Sequence, residues 1–138
     1  MTEIKEGYLR VTAMLSPFSG LQNVPEYILE NAKERGTAVH QIILALESGL
    51  GSDEPTEAIS GYISSYKQWA NAKAFLECPN RFYDDSLMIT GEIDAIYEET
   101  DGVVIVDYKT PLKESKSWPI QATAYSYLAK KSGYNVKR

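Results

Sequence analysis

The stretch VVIVDYKT (residues 103–110) begins as an apolar run and ends in two opposite charges. Four β-branched residues in succession are typical of a buried strand. Because side chains alternate across a strand, Asp107 and Lys109 are expected to share one face while Tyr108 points to the other. A buried strand gains no stability from either charge. The octet therefore indicates either a surface ion pair at a strand end or a functional site carried by that strand.

A second strand is predicted directly before the octet. The stretch LMITGEIDAIYEE (87–99) alternates in polarity, and DG (101–102) is a tight-turn signal, so an antiparallel hairpin is expected. In such a hairpin Asp94 can lie near Asp107. Two carboxylates held together repel each other unless a cation lies between them, and Mg²⁺ takes hard oxygen ligands. Lys109 would then stabilise a negative oxygen or orient a water rather than bind the metal.

The bulk composition limits the class of protein. A chain of 138 residues with 43% hydrophobic and 24% charged residues is expected to form one domain, residues 1–138. The single Cys78 excludes an internal disulfide framework, a Cys-rich zinc site and a four-Cys iron–sulfur cluster. No run is long enough to span a bilayer and no secretory signal is recognised, so a cytoplasmic protein is expected.

Charge is unevenly distributed. Residues 1–108 carry 7 Lys and Arg against 18 Asp and Glu, whereas residues 109–138 carry 7 against the single Glu114. Such asymmetry indicates either a surface that faces phosphate or a solvated basic face on the last helix.

Helices are predicted before and after the hairpin. A short helix at 26–35 is expected to end at Gly36, and a second to run from Thr37 to Gly49. The remaining predicted elements are a helix at 57–74, a strand at 74–78, a helix at 119–133 and the first residues of another strand at 134–138. This order is that of an α/β or α+β domain.

Four short motifs occur in a recognisable order: GTAVH (36–40), GEID (91–94), DYK (107–109) and QATAY (121–125). Together they resemble the RecB-like exonuclease branch of the PD-(D/E)XK nuclease superfamily, over roughly residues 10–134. The resemblance implies an α/β restriction-endonuclease-like core with a central mixed β-sheet flanked by helices, and N-terminal helices before the catalytic hairpin. Compared with that family, the last core strand is expected to be truncated here.

The resemblance also implies a role for individual residues. Asp94 and Asp107 would be metal ligands, His40 a further ligand, and Lys109 the lysine that positions or activates water. Two other groups are implied near the site: Gln121 and Tyr125 on the following helix, and Glu77 as a ligand on the first core strand, with Asp85 as a weaker substitute.

Other polar groups near the predicted site have weaker assignments. Lys113 and Lys116 are candidate phosphate contacts. Trp118 would either stack on a base or pack beneath the Lys-rich loop. Glu92, beside Asp94, is expected to point to the opposite face and to be solvated.

The sequence therefore predicts a deoxyribonuclease that depends on Mg²⁺ or Mn²⁺. It is expected to hydrolyse single- or double-stranded DNA as an exonuclease in repair, recombination or phage DNA processing. An exposed C-terminal sheet edge is expected to allow a homo-oligomer or a protein partner. The alternative is a nuclease-like module that binds DNA or a partner without cutting. No membrane association is expected.

Overall fold

The computed structural model describes residues 3–51, 54–77, 81–111 and 114–138. The helices of this part of the chain are α1 (Val11–Met14), α2 (Glu26–Glu47), α3 (Glu57–Ala70) and α4 (Ser117–Lys131), with a 3₁₀ turn at Ser16–Phe18. The strands are β1 (Leu9–Arg10), β2 (Ala74–Glu77), β3 (Arg81–Asp84), β4 (Ile89–Glu92), β5 (Ala95–Glu99) and β6 (Gly102–Val106). The presence of helices together with mixed and antiparallel sheets confirms the predicted α/β class.

The strands form two three-stranded sheets rather than a single sheet. One sheet has the order β1-β4-β3, and the other has the order β2-β5-β6. The strand predicted over 87–99 is divided, because β4 pairs with β3 up to Glu92 and β5 pairs with β6 from Ala95. Ile93 and Asp94 lie at this division, and Ile93 is fully buried between the sheets and helices. The change of pairing partner thus places Asp94 where both sheets end.

The predicted hairpin is confirmed. Strands β5 and β6 are antiparallel, with Ala95 opposite Val106 and Glu99 opposite Gly102. Continuing this register by one residue puts Asp94 opposite Asp107, just beyond the last paired residues. The hairpin therefore delivers both carboxylates to one end of the sheet.

Helix α2 differs from its prediction. It is one continuous helix of 22 residues that passes through Gly36, where two helices were expected to meet. A glycine inside a helix costs only about 1 kcal/mol relative to alanine. Burial of Val39 and Ile43 against α3 outweighs that cost, so the signal for a helix end was wrong.

Two other helix ends were misplaced, and three elements were missed. Helix α3 ends at Ala70 rather than at residue 74, because Asn71 leaves the helical region and Ala72 adopts a left-handed φ of 64°. Helix α4 begins at Ser117, two residues before Pro119. Elements β1, α1 and β3 were not predicted, because they are 2 to 4 residues long and too short for a periodic pattern.

Two apolar clusters hold these elements. The first lies under α4 and includes Ile93, Ile96, Tyr125 and Leu128; the second lies between α2 and α3. A Cβ atom on Gly91 would lie 2.7 Å from Cε1 of Tyr125 and 3.1 Å from Cδ1 of Leu128, so α4 packs directly on the backbone of β4. Tyr108 packs against the second cluster, which confirms that it turns away from Asp107 and Lys109.

The C-terminal residues lie alongside β6. Val136 forms a parallel bridge with Val103, and the backbone N–H groups of Val103 and Ile105 donate to the carbonyls of Asn135 and Arg138, both at 2.9 Å. The predicted start of a further strand is confirmed by this pairing. The same contacts cover the edge of β6 over residues 103–105, so this part of the edge is paired within the chain. A homo-oligomer or a protein partner at the C-terminal sheet edge stays a prediction.

No helix in the described ranges has both the length and the apolar character needed to cross a membrane.

Gly102 provides a test of the tail pairing. A Cβ atom there would lie 2.4 Å from the backbone oxygen of Asn135. We expect Gly102→Ala to lower the free energy of unfolding by about 1–3 kcal/mol, because the tail must move away from β6. Urea unfolding followed by circular dichroism measures this change.

Gly61→Ala is the matched control. Gly61 lies in the exposed middle of α3 with open space around its Cα, so alanine should stabilise the protein by about 0.5–1 kcal/mol. Equal stability of the two variants would show that the tail does not pack against Gly102.

Candidate active site

A cleft of about 400 Å³ opens where the two sheets end, between α2 and α4. Six of the predicted site residues line it together: His40, Asp94, Asp107, Lys109, Gln121 and Tyr125. They come from α2, from the junction of β4 and β5, from the end of β6 and from α4. Four separate parts of the chain thus place polar groups around one space.

The two carboxylates are in direct contact. The side chains of Asp94 and Asp107 lie within hydrogen-bonding distance, and Asp107 is largely buried. Burial, together with the negative charge of Asp94, raises the pKa of Asp107 to about 6, although Lys109 acts in the opposite direction. A cation placed in the cleft would favour the ionised form of both groups.

His40 reaches the carboxylates from α2. Its Nδ1 lies 2.7 Å from the carbonyl oxygen of Gly36, one helical turn earlier, and its Nε2 lies 3.0 Å from Oδ2 of Asp94. The bond to Asp94 raises the pKa of His40 to about 9, and burial opposes this rise. The contact with Gly36 assigns a proton to Nδ1, so deprotonation would free Nε2 as a ligand atom.

Lys109 is held in place from two sides. Its ammonium lies 2.6 Å from Oδ2 of Asp107 and donates to Oε1 of Gln121, also at 2.6 Å. The amide of Gln121 in turn donates to the hydroxyl of Tyr125 at 3.2 Å, and burial raises the pKa of that phenol. Gln121 and Tyr125 therefore act on the cleft by orienting Lys109.

The opposite face of the same strand end is anchored by a glutamate. The hydroxyls of Tyr108 and Tyr97 donate to Oε2 of Glu47 at 2.5 and 2.6 Å. Burial raises the pKa of both phenols, and Glu47 raises it further, so both stay protonated as donors. Because Tyr108 stands between Asp107 and Lys109, this contact fixes the backbone that carries them.

Comparison with known families bears on this geometry. The family model of the PD-(D/E)XK nuclease superfamily matches residues 68–138, just over half of the chain. The chain belongs to the PD-(D/E)XK nuclease superfamily. Searches of curated proteins and of solved structures gave no significant match.

The superfamily match covers most of the cleft but not all of it. Asp94, Asp107, Lys109, Gln121 and Tyr125 lie inside the matched range. His40 precedes that range, so its place in the site rests on the contact with Asp94 described above. The superfamily prediction is confirmed, and the RecB-like branch stays a prediction.

Several predicted residues lie away from the cleft of this superfamily member. Glu77 lies on β2 opposite Ile96 and is not among the residues lining the cleft. Asp85 is not among them either, and it accepts a hydrogen bond from the hydroxyl of Tyr8. Lys116 and Trp118 line another cavity, of about 720 Å³, although the Trp118 ring lies 5.6 Å from the ammonium of Lys109. Lys113 lies outside the described residues.

Three charged residues of the cleft were not assigned to it from the sequence. Arg10, Arg81 and Glu92 line it, and Arg81 pairs with Glu92 at 3.3 Å. Glu92 is exposed as expected, but the expectation that it points away from Asp94 is wrong, because both residues line the same cleft. The two arginines were missed because they lie on β1 and β3, which were not predicted.

The donor set of the cleft suits a divalent cation chemically. The two carboxylates are the oxygen ligands that Mg²⁺ and Mn²⁺ prefer, whereas the imidazole is a nitrogen ligand of the kind more common for Zn²⁺, Fe²⁺ or Ni²⁺. Within the ranges that the structure describes, however, no group of three or more His, Cys, Asp or Glu is arranged to hold a metal ion. The potential ligands instead bond to one another and to Lys109.

Glu47 tests the anchor behind the strand. We expect Glu47→Gln to lower the free energy of unfolding by about 1–2 kcal/mol, because two buried phenols lose a charged acceptor. Glu30→Gln, at an exposed position of the same helix, is the control and should change stability by less than about 0.5 kcal/mol. Urea unfolding distinguishes the two, and equal effects would contradict the anchor.

Proposed function

We propose that the protein is a metal-dependent deoxyribonuclease that hydrolyses phosphodiester bonds. The observation that carries the proposal is the convergence of Asp94, Asp107 and Lys109 with His40 in one cleft. Membership of the PD-(D/E)XK nuclease superfamily supports the same chemistry. The exonuclease mode, and a role in repair, recombination or phage DNA processing, rest on the resemblance to the RecB-like branch.

The residues that would hold the metal are Asp94 and Asp107, with His40 as the third ligand. A bound Mg²⁺ or Mn²⁺ would supply Lewis-acid stabilisation of the phosphate charge and an acidified water. His40 must be deprotonated at Nε2 to take part, and its hydrogen bond to Gly36 keeps the remaining proton on Nδ1.

Lys109 supplies the positive charge closest to the carboxylates. Gln121 keeps its ammonium in the cleft, where it can stabilise a negative oxygen or orient the attacking water. Arg10 and Arg81 line the same cleft and are placed to contact phosphate oxygens. Under this proposal Lys109, Arg10 and Arg81 would be the cations that contact the scissile phosphate.

Charge distribution supports an approach of DNA from the C-terminal part of the chain. The acidic balance of residues 1–108 reverses from Lys109 onward, since residues 109–138 contain 7 basic residues and a single acidic one. Lys130 and Lys131 lie in the last turn of α4. Cationic segments of this kind attract the phosphate backbone without reading its sequence.

Lys109→Ala tests the enzymatic proposal. We expect wild-type protein to cut labelled single- or double-stranded DNA with Mg²⁺ or Mn²⁺ and to be inactive in EDTA. We expect Lys109→Ala to lose about 100-fold or more of the activity, as when one stabilising donor is removed from an active site. Gel electrophoresis of the products measures the rate, and Lys33→Ala, an exposed lysine of α2, should retain it.

Two outcomes of this assay would contradict the enzymatic proposal. Cleavage that persists in EDTA or in Lys109→Ala would place the activity elsewhere. A wild type that binds DNA but does not cut it with either metal would favour the non-cutting, nuclease-like binding module.

Asp107→Asn tests metal binding without relying on activity. We expect isothermal titration with Mn²⁺ to show binding by the wild type and a loss of about tenfold or more in affinity for the variant, since one anionic ligand is removed. Asp101→Asn, in the turn between β5 and β6, removes a carboxylate from an exposed position and should bind Mn²⁺ as the wild type does. Equal affinities of the two variants would exclude Asp107 as a ligand.

A further inference from the structure

A second cleft, of about 350 Å³, lies behind the end of β6, between α2 and α3. Its walls include four aromatic side chains, Tyr62, Tyr66, Trp69 and Tyr108, and these residues define what we call the aromatic cleft. It shares Asp107, Tyr108 and Lys109 with the active-site cleft. The single chain segment 107–109, which follows β6, therefore lies between the two spaces.

The rings of the aromatic cleft are held by one another. Tyr66 and Trp69 each meet Tyr108 nearly at right angles, with ring centroids 5.6 and 6.2 Å apart. Trp69 keeps 40% of its surface exposed. The ammonium of Lys73 lies 5.1 Å from the Trp69 ring and lines a neighbouring cavity rather than the aromatic cleft. An indole this exposed and this firmly positioned offers a preformed stacking surface.

The polarity of the aromatic cleft favours an uncharged, planar occupant. Val39 and Ile43 add apolar surface, and the charged groups among its described lining residues are Asp107 and Lys109, which bond to each other. Its volume is at the lower end of the range for small-molecule sites, about 300–1,000 Å³, which suits one ring system.

A cation lies beside the aromatic cleft. The guanidinium carbon of Arg35 is 5.8 Å from the centre of the Tyr62 ring. Its Nε is buried and has no hydrogen-bond partner among the residues that the structure describes. The guanidinium of Arg35 thus adds a positive charge on the Tyr62 side of the aromatic cleft.

We propose that the aromatic cleft binds one unpaired nucleobase of the strand whose phosphate lies in the active-site cleft, so that single-stranded DNA is the preferred substrate class. The proposal rests on the proposed nuclease function, since it takes the phosphate position from that site. Stacking on an aromatic side chain favours any base by about 1–3 kcal/mol. A base within a duplex must first be unpaired and unstacked, which costs a few kcal/mol and disfavours duplex DNA.

Trp69→Ala tests the stacking surface by binding rather than by cleavage. Fluorescence anisotropy with labelled single-stranded and duplex oligonucleotides is measured with Ca²⁺ in place of Mg²⁺. We expect wild-type protein to prefer the single strand and Trp69→Ala to bind it about 5- to 100-fold more weakly, with less than a twofold change for duplex. Tyr27→Ala removes a ring on α2 that is 69% exposed and should leave both affinities unchanged.

A scan of abasic nucleotides locates the bound base. We expect one abasic position in the single strand to weaken binding to the wild type by the same factor as Trp69→Ala, and to have no further effect on that variant. This non-additivity arises only if the missing base and the indole contact each other. Trp69→Phe should retain most of the affinity, and circular dichroism of each variant confirms that it is folded.

The proposal is overturned if Trp69→Ala weakens single-stranded and duplex binding equally, or if no abasic position is coupled to Trp69. If Trp69→Ala does not fold, the proposal is tested instead by the abasic scan on wild-type protein together with the affinity of Trp69→Phe for the same oligonucleotides. Because binding is measured without cleavage, abasic coupling in an inactive protein would support the aromatic cleft and reject the nuclease. Cleavage without such coupling would support the nuclease and reject the aromatic cleft as a base-binding site.

Discussion

One oxygen atom of Asp94 joins the parts of the chain that make the site. Oδ2 accepts the backbone N–H of Tyr108 at 2.8 Å and lies 3.0 Å from Nε2 of His40. It therefore connects the start of β5 to the end of β6 and to the middle of α2. Because the N–H of Tyr108 bonds to this side chain, it does not pair with the backbone of a neighbouring strand just beyond the end of β6.

The resulting cluster balances its own charge. Asp94 and Asp107 face the His40 imidazole, whose pKa is raised to about 9, and the Lys109 ammonium. Buried carboxylates in contact would otherwise destabilise the fold strongly. This arrangement lets the folded chain hold two carboxylates at one point. A divalent cation bound there would compensate their charge in place of the positive charge of His40.

The residues predictable from sequence are those fixed by local geometry. The alternation of a strand placed Asp107 and Lys109 together, and the turn at 101–102 set a hairpin register that brings Asp94 to Asp107. His40 and Gln121 followed from the resemblance of their motifs to the superfamily. The hairpin features depend on few residues and on short separations along the chain, so a single sequence is enough to predict them, whereas His40 required the resemblance because its partner Asp94 lies 54 residues away.

What the sequence did not reveal depends on long-range packing. Gly36 carries the signal of a helix end, yet the apolar contacts of α2 with α3 carry the helix through it. Arg10 reaches the cleft on β1, whose pairing with β4 joins residues 80 positions apart, such as Leu9 and Ile89. Arg81 lies on the four-residue strand β3, which pairs with β4 but is too short to show a periodic pattern. Tyr108 was expected in the core, but its acceptor Glu47 lies 61 residues away, and no local pattern links the two.

The contact of Gly91 with α4 has a consequence for how activity could be lost. Tyr125 and Leu128 rest on the bare backbone of β4, and Gln121 lies one helical turn before Tyr125 on the same helix. Any side chain at position 91 would lift the helix from the sheet and carry the amide of Gln121 away from Lys109. A homologue could therefore retain every charged group of the cleft and still be inactive, so a chain of this superfamily should be judged by its glycine as well as by its acids and lysine.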